Sequence, residues 1–441
     1  MRRALVLLAL LALPAAAARG ATTPTWPLFG YDTARTNDGP ATGITAANVG
    51  HVSHRRVHLD GTVDSSPVYW SGTIYVTTTY GRTEAIDAGT GRVKWRFVPP
   101  AYTRVAGTPQ VTNASPALDP SGQYLYAAAS DGRIRKLKTS NGHVVWTVAI
   151  TRDPSHEKIT SSLNVSRGLV IATTGGYNGD APPYQGHVVT IGAASGRIAH
   201  VWNSLCANRR AIISPRTCSS SDSAIWSRNG AAVDPASGNL VVATGNGPYN
   251  GSTDFGDSVI VLTPNASRMV GHYTPPNQAQ LDSSDQDLGS TSPGLLPGGY
   301  AVQGGKDGVL RLLQLHGRPR LVQSLSVGAL FSVPAIYQGK WVFIGTGGGT
   351  QALRFAGGHL HPAWSNHTDG TSPVVAGGLL YVAGSGAIHV YMPSSGRLVA
   401  TLPTGPVHWQ SPIAVDRFVV MAEGDVNDHA TSGVLDIFRV P

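Results

Sequence analysis

Short apolar runs, each closed by a Gly-rich turn, recur along most of the chain. One such phrase is AIDAGTGRVKW, from Ala85 to Trp95, in which an apolar run, a turn of Gly and Thr, and a second run ending in Trp follow one another. This pattern predicts a β-hairpin. Nearly the same phrase returns as KLKTSNGHVVW, from Lys136 to Trp146. We therefore interpret the hairpin as part of a repeated unit.

The repeated unit opens with small residues or Ser, then Pro, then an apolar pair, as in SSPVYW at Ser65 and GTSPVV at Gly370. The openings, counted at the Pro or its equivalent, fall at positions 67, 116, 163, 231, 293, 334, 373 and 412. Each opening is followed by short β-rich runs, and four strands repeated at this period are typical of a β-propeller. We predict an all-β, eight-bladed propeller of four-stranded antiparallel blades. The long third and fourth copies carry insertions, which we expect at one end of the central channel.

The two ends of the chain are predicted to close the ring. The eighth copy ends at its third strand, GVLDIFRV, while HVSHRRVHLDG before the first copy is a strand without a blade. We expect these two segments to pair. Gly91 and Gly142 are expected to form the repeated turns, and Trp95 and Trp146 to pack between neighbouring blades.

The first 18 residues have the pattern of a secretory signal peptide: a basic start, a short apolar run and small residues before Arg19. The domain that follows is predicted to span residues 26–441. The apolar run is too short to span a bilayer, so we expect an exported protein, periplasmic or extracellular, without a membrane span. The two cysteines, Cys206 and Cys218, are predicted to form a disulfide in such a compartment.

The charge of the chain excludes one class of partner. Its 441 residues include 33 basic and 25 acidic side chains, and the excess of positive charge is scattered rather than concentrated. Nucleic-acid binding needs a concentrated basic face, so we expect no nucleic-acid partner. We expect a monomer.

The repeat and its lead-in, WPLFGYDTARTNDGPATGITAANVGHV, resemble those of the pyrroloquinoline quinone (PQQ) dehydrogenases, the quinoprotein alcohol dehydrogenase-like propellers. The sequence of these segments is most similar to the polyvinyl-alcohol-dehydrogenase-like branch. The resemblance covers essentially the whole mature chain and implies an eight-bladed propeller. Non-catalytic propellers of the BamB type carry the repeat as well.

Three further segments resemble the cofactor site of these dehydrogenases. SAIWSRNGAAVDPASGNLVVATGNGPYN implies that Trp226 stacks on PQQ and that Asn246 binds calcium. YTPPNQAQLDSSDQDLGSTSP implies that Asp285 is the catalytic carboxylate and a calcium ligand, with Asp287 beside it in a catalytic role. QGGKDGVLRLL implies that Lys306 approaches the quinone.

These residue types suit the chemistry, because PQQ is a flat tricarboxylate that needs an aromatic floor, positive charge and a hard cation with oxygen ligands. Each residue also has a structural interpretation. Trp226 could pack between blades, and Asn246 could be a turn residue. Asp285 could cap a loop or face solvent, and Lys306 could belong to a hairpin turn.

The chain departs from the dehydrogenases in two places. Residues 104–118, where they carry a vicinal Cys pair, contain no Cys. Near the position of their calcium-binding Glu stands Ala181, with Asp180 beside it as a candidate oxygen ligand, and Gln185 stands where they often have Arg.

The sequence therefore supports two hypotheses for the function of this protein. The first is a PQQ- and calcium-dependent oxidoreductase that oxidises a small-molecule or polymeric alcohol by hydride transfer to the quinone. The alternative is a non-catalytic, BamB-like propeller that serves as a scaffold or binding protein for a protein partner.

Overall fold

The computed structural model describes residues 23–177, 181–384 and 386–441. The predicted signal peptide at residues 1–18 and the predicted metal ligand Asp180 lie outside the described residues. Short strands joined by tight turns make up most of this part of the chain. The strands that precede the first repeat are β1 (Thr25–Trp26) and β2 (Ser53–Leu59).

Each of the first four repeats folds into one antiparallel sheet that runs from the channel outwards. Their strands are β3 (Val68–Trp70), β4 (Thr73–Thr77), β5 (Thr83–Asp87) and β6 (Val93–Phe97); β7 (Ala117–Leu118), β8 (Tyr124–Ala129), β9 (Arg133–Lys138) and β10 (Val144–Ala149); β11 (Glu157–Ile159), β12 (Asn164–Ser166), β13 (Leu169–Gly176), β14 (His187–Gly192) and β15 (Ile198–Asn203); and β16 (Ala232–Val233), β17 (Leu240–Ala243), β18 (Val259–Leu262) and β19 (Met269–Tyr273). In the third blade, β11 and β12 both pair with β13.

The last four repeats follow the same order. Their strands are β20 (Gly294–Leu296), β21 (Tyr300–Gln303), β22 (Val309–Gln314) and β23 (Arg320–Ser326); β24 (Ala335–Tyr337), β25 (Trp341–Thr346), β26 (Gly349–Ala356) and β27 (His359–Ser365); β28 (Val374–Ala376), β29 (Leu379–Gly384), β30 (Ala387–Tyr391) and β31 (Leu398–Pro403); and β32 (Ile413–Val415), β33 (Phe418–Glu423) and β34 (Gly433–Arg439). Helical segments are short: α1 (Tyr102–Val105), α2 (Gln278–Ser283), and 3-10 turns at Pro215–Thr217, Leu288–Ser290, Pro297–Gly299 and Val426–Asp428.

The described residues form eight blades, which confirms the predicted eight-bladed propeller. The predicted closure of the ring is confirmed as well, because β2 is the outermost strand of the last blade and pairs with β34 from Ser53–Arg439 to Leu59–Gly433. The two ends of the chain thus share one sheet. No helix in the described part of the chain has the length and apolar character that a bilayer crossing requires.

Apolar side chains on the two faces of each sheet pack against the adjacent blades, as stacked blades require. The repeated Trp adds a specific contact between neighbours. Trp95 Nε1 donates to the Thr139 carbonyl at 2.7 Å, and its ring covers Gly142, where a Cβ would lie 2.6 Å from Trp95 Cε3. Trp146 covers Gly196 of the third blade in the same way. The predicted role of these Trp residues in blade packing is confirmed.

The lead-in segment, residues 24–49, crosses the channel and binds the innermost strands. Backbone amides of blades two, four, six and seven donate to its carbonyls, from Leu118, Val233, Ile336 and Val375. The Arg35 side chain is fully buried and donates to the carbonyls of Leu163, at 2.8 Å, and Ser162, at 3.2 Å. Because these partners lie on separate blades, the segment ties the ring together below the cavity described next.

Candidate functional site

A cavity of about 450 Å³ lies at the channel end where the innermost strands begin. Its lining includes Trp226, Asn246, Asp285, Asp287 and Lys306. All five residues predicted from the third, fourth and fifth repeats therefore meet in one place. As expected, the long third and fourth repeats supply their insertions to this end of the channel.

Asn246 follows β17 in the segment TGNG and is fixed by its neighbours. Its backbone N–H donates to Asp287 Oδ1 at 2.7 Å, and its side-chain Nδ2 donates to Asp285 Oδ1 at 2.9 Å. Gly245 makes this approach possible, because a Cβ there would lie 2.1 Å from Asp287 Oδ1. The other side-chain atom, Asn246 Oδ1, is buried and has no hydrogen-bond partner among the described residues.

The fourth-blade insertion presents Asp285 to the cavity. Helix α2 anchors it through the fully buried Leu281, whose carbonyl accepts a hydrogen bond from Gln286 N at 2.9 Å. At the turn that follows α2, Asp285 adopts a φ of 51°, a conformation that Asp and Asn tolerate better than most residues. The Asp285 side chain is 70% exposed, whereas that of Asp287 is 8% exposed.

Lys306 lies in the turn between β21 and β22 and joins the two carboxylates. Its Nζ lies 2.7 Å from Asp285 Oδ1 and 2.5 Å from Asp287 Oδ2. Burial acts against the charged ammonium, but the charges of Asp287 and Asp285 outweigh it and raise the pKa of Lys306. The same Nζ lies 5.7 Å from the centre of the Trp226 ring. Lys306 is therefore a fixed positive charge next to an aromatic face.

A further carboxyl, Asp257, lies beneath this group and was not predicted from the sequence. It is fully buried, and its Oδ1 accepts a hydrogen bond from Leu288 N at 3.0 Å. Burial, with a contribution from the charge of Asp287, raises the pKa of Asp257 to about 7. Nothing in the local phrase DFGDS distinguishes this Asp from an ordinary turn residue.

The opposite wall of the cavity includes His408 and Trp409, and Asp64 and Arg228 contact His408 without lining the cavity; the sequence analysis missed all four. Asp64 is fully buried and forms an ion pair with Arg228, 2.6 Å apart, and a hydrogen bond of 2.8 Å with His408 Nδ1. The His408 ring stacks on Trp409, with centroids 3.9 Å apart, and Trp409 lies 5.6 Å from Trp226. The sequence offers one indication of this wall: Asp64 directly precedes the first repeat opening, and Trp409 begins the last one.

The wall formed by Asn246, Asp285, Asp287 and Lys306, called the first wall, offers oxygen atoms of the types that bind a hard cation, and the Lys306 ammonium pairs with both of its carboxylates. Asn246 Oδ1 is buried and has no hydrogen-bond partner among the described residues, and the Asp285 carboxylate accepts a hydrogen bond from the same side chain. Amide and carboxylate oxygens are the ligands that calcium prefers. Asp222, another carboxylate of the lining, is half-buried, and burial together with the charges of Asp282 and Asp287 raises its pKa, as expected where negative groups crowd together.

Comparison with known proteins agrees with this architecture. A family model described as outer membrane protein assembly factor BamB matches residues 54–241. The quinohemoprotein alcohol dehydrogenase ADH IIB of Pseudomonas putida is 24% identical over 272 residues, which are 56% of this chain and 39% of that relative. The solved structure of quinohemoprotein alcohol dehydrogenase from Comamonas testosteroni matches with a TM-score of 0.73 at 18% identity, over 96% of this chain and 81% of that one. BamB from Moraxella catarrhalis matches with a TM-score of 0.60 at 13% identity, over 88% and 99% of the two chains.

The chain fits the PQQ-repeat propeller superfamily. It covers less than half the length of the Pseudomonas relative.

Two features distinguish this propeller near the cavity. Cys206 and Cys218 form the predicted disulfide within the third-blade insertion, which agrees with folding in an oxidising compartment. Gln185 is buried, and its Nε2 lies 3.5 Å from Cys218 Sγ. The position where the resemblance suggested an Arg therefore holds a neutral amide directed toward the disulfide.

Proposed function

We propose that this protein is an exported, PQQ-dependent oxidoreductase that oxidises an alcohol. The observation that carries the proposal is the meeting of Trp226, Asn246, Asp285 and Lys306 in one axial cavity. None of the four lies in a strand, so none is placed there to complete a blade. Their shared position is better explained by a ligand than by the fold.

The cavity offers what a flat polyanion needs. Trp226 and Trp409 present aromatic rings, and Lys306 presents a positive charge close to the first of them. When bound, PQQ would supply a two-electron acceptor for the hydride of the substrate C–H bond. The chain's own task is to bind and orient both molecules.

Calcium would be held at the first wall. Asn246 Oδ1 has no hydrogen-bond partner among the described residues, and Asp285 lies beside it. Asp180, predicted as a further oxygen ligand, remains part of the proposal. A hard cation here would offset the charge of the surrounding carboxylates and the carboxylates of the ligand.

Asp285 is the proposed acceptor of the substrate hydroxyl proton. Its Oδ1 accepts hydrogen bonds from Asn246 and Lys306, while the carboxylate as a whole is largely exposed to the cavity. A carboxylate held in this way can accept a proton from an alcohol that reaches its free oxygen. Asp287, anchored by Asn246 N, would hold Lys306 in place.

A non-catalytic propeller is the second candidate. The family model described as outer membrane protein assembly factor BamB and the fold match to BamB from Moraxella catarrhalis support this candidate. The neutral Gln185 and the absence of a vicinal Cys pair from the sequence also favour this candidate.

Export rests on the predicted signal peptide at residues 1–18 and is supported by the disulfide between Cys206 and Cys218. The propeller domain would then occupy residues 26–441 of the mature protein.

Reconstitution tests the proposal. Purified mature protein is mixed with PQQ and calcium, and reduction of an artificial electron-accepting dye is followed with primary and secondary alcohols. The proposal predicts dye reduction that requires PQQ, calcium and alcohol together. Absence of PQQ binding at micromolar concentration overturns it and favours the non-catalytic propeller.

A further inference from the structure

His408 lies in the loop between β31 and β32, on the cavity wall opposite Asp285. Its Nδ1 is 2.8 Å from Asp64 Oδ2 and 3.3 Å from Asp425 Oδ1. No hydrogen bond from the described residues engages Nε2. Because Nδ1 is turned toward buried carboxylate, Nε2 is the ring nitrogen left to meet a ligand.

The ring is held rigidly in this orientation. Asp64 cannot turn away, because it is fully buried, pairs with Arg228 and accepts a hydrogen bond from Val426 N at 3.0 Å. The His408 backbone N–H donates to Gln410 Oε1 at 2.9 Å, and the ring stacks on Trp409. This arrangement fixes the proton of the neutral ring on Nδ1 and leaves Nε2 as an acceptor.

The charged groups that face His408 come from three separate parts of the chain. Asp64 and Asp425 lie on the Nδ1 side, and Arg228 Nη2 lies 3.4 Å from Nδ1. A positive charge on the ring is therefore balanced by two carboxylates and opposed by one guanidinium. The two carboxylates and His408 have ligand atoms within 4.8 Å of one another. Nδ1 faces both carboxylates and Arg228 pairs with Asp64, so these groups already pair with one another, and together they orient the imidazole.

We propose that His408 is the proton donor of the site, an inference that rests on the proposed oxidoreductase function. When bound, PQQ would accept the substrate hydride with both of its electrons. Asp285 would take the hydroxyl proton as the alcohol becomes a carbonyl compound, and His408, protonated on both ring nitrogens, would give its Nε2 proton to the bound acceptor. Asp285 would then release a proton to solvent and His408 would take one back, so that two electrons and two protons pass in net from the alcohol to the quinone.

The position of His408 suits this role. A continuous series of rings and charges spans the cavity, with His408 against Trp409, Trp409 5.6 Å from Trp226, and Trp226 5.7 Å from Lys306 Nζ. Because the Trp226 and Trp409 rings are in contact, a ligand would lie against this pair, with the carboxylate base at one end and the imidazole at the other. Asp425, with 34% of its side chain exposed, lies between the ring and solvent and offers a path for the returning proton.

The test compares wild-type protein with H408Q and with H361Q, a matched control on the exposed face of β27. Long-range ¹H–¹⁵N spectra of the protein without PQQ report which His408 nitrogen carries the proton. Titration of each protein with PQQ gives the Kd for PQQ, and dye-linked turnover gives kcat. D425N, which changes the partially exposed carboxylate, tests the proton path without disturbing the buried Asp64.

The inference predicts that the neutral His408 ring carries its one proton on Nδ1. H408Q should bind PQQ within about threefold of wild type and turn over about 100-fold more slowly. H361Q should match wild type. An H408Q rate like that of wild type, or a neutral His408 ring that carries its one proton on Nε2, overturns the inference alone. A wild-type protein that binds no PQQ overturns both it and the proposed function.

Discussion

Asn246 and Asp285, 39 residues apart in the chain, are joined by a hydrogen bond of 2.9 Å from Nδ2 to Oδ1 at the mouth of the propeller channel. The bond directs Asn246 Nδ2 to the carboxylate and leaves the buried Oδ1 without a hydrogen-bond partner among the described residues. A buried amide oxygen without a hydrogen bond is costly. In the proposed calcium site, the cation would supply the partner that this oxygen lacks.

We expect D285N to lose catalytic activity and keep its fold. Asn removes the proton acceptor but tolerates the positive φ of this turn, so dye-linked turnover should fall by about 100-fold or more while the melting temperature changes by a few degrees at most. Asp416 provides a matched control, because it also lies in a turn with positive φ, 57° against 51° for Asp285, and does not line the cavity. Equal losses in D285N and D416N would contradict the assignment.

Calcium should stabilise the protein through Asn246. A ligand that binds only the folded state raises the free energy of unfolding, by about 2.7 kcal/mol at 100 times its Kd. We therefore expect calcium to raise the melting temperature of wild-type protein, measured by scanning calorimetry, and to have little effect on N246A. N427A, which alters an Asn on another part of the same cavity lining, serves as the control. A calcium response that survives in N246A would place the cation elsewhere.

The Trp95–Gly142 contact predicts a large difference between two glycine substitutions. Gly142 and Gly168 have nearly the same φ, 73° and 74°. A Cβ at Gly142 would meet the Trp95 ring, whereas a Cβ at Gly168 would have no heavy atom of the described residues within 4 Å apart from its chain neighbours. G168A should cost about 1 kcal/mol for backbone strain alone. G142A should cost about 1–3 kcal/mol more, because it also separates two blades. Urea denaturation measures both, and equal losses would show that the Trp contact contributes nothing.

Ring closure should depend on pH through Asp436. Burial, helped by the bond and charge of Glu423, raises the pKa of Asp436 to about 8, and Asp436 Oδ2 has no donor among the described residues. The folded state therefore holds a proton that the unfolded state releases at lower pH. Stability should fall as pH rises from about 4 to 8, with a slope of at most about 1.4 kcal/mol per pH unit.

D436N should remove this component of the pH dependence and be the more stable protein at pH 8. Thermal unfolding measured at intervals between pH 4 and pH 8 tests the expectation. D428N, at an exposed position in the same blade, should retain the wild-type slope. An unchanged slope in D436N would show that the pair formed with Glu423 does not titrate in this range.

The architecture was predictable because its signal is local and repeated. A turn Gly and a following Trp recur in several blades, and the missing strand of the last repeat had one candidate partner in HVSHRRVHLDG. The disulfide was predictable because Cys206 and Cys218 are the only cysteines. The five cavity residues were found from segments that resemble a known family, and their roles stay predictions.

The second wall of the cavity could not be predicted in the same way. Asp64, Arg228, and the pair of His408 and Asp425 come from three distant parts of the chain, and only closure of the ring brings them together. No spacing in the sequence relates them. Asp257 was missed for a different reason, since its pKa depends on burial beneath Asp287, which becomes visible only after the insertion has folded.

The most direct test of the account is a titration of the protein with PQQ in the presence of calcium, followed by quenching of tryptophan fluorescence. If the axial cavity holds the quinone against Trp226, wild-type protein should show saturable quenching with a Kd in the micromolar range or below, and W226F should lose a large part of it. N246A and D285N should weaken binding, while D416N should not. Absence of saturable quenching in the wild-type protein, or identical curves for wild type, W226F and N246A, would contradict the central claim.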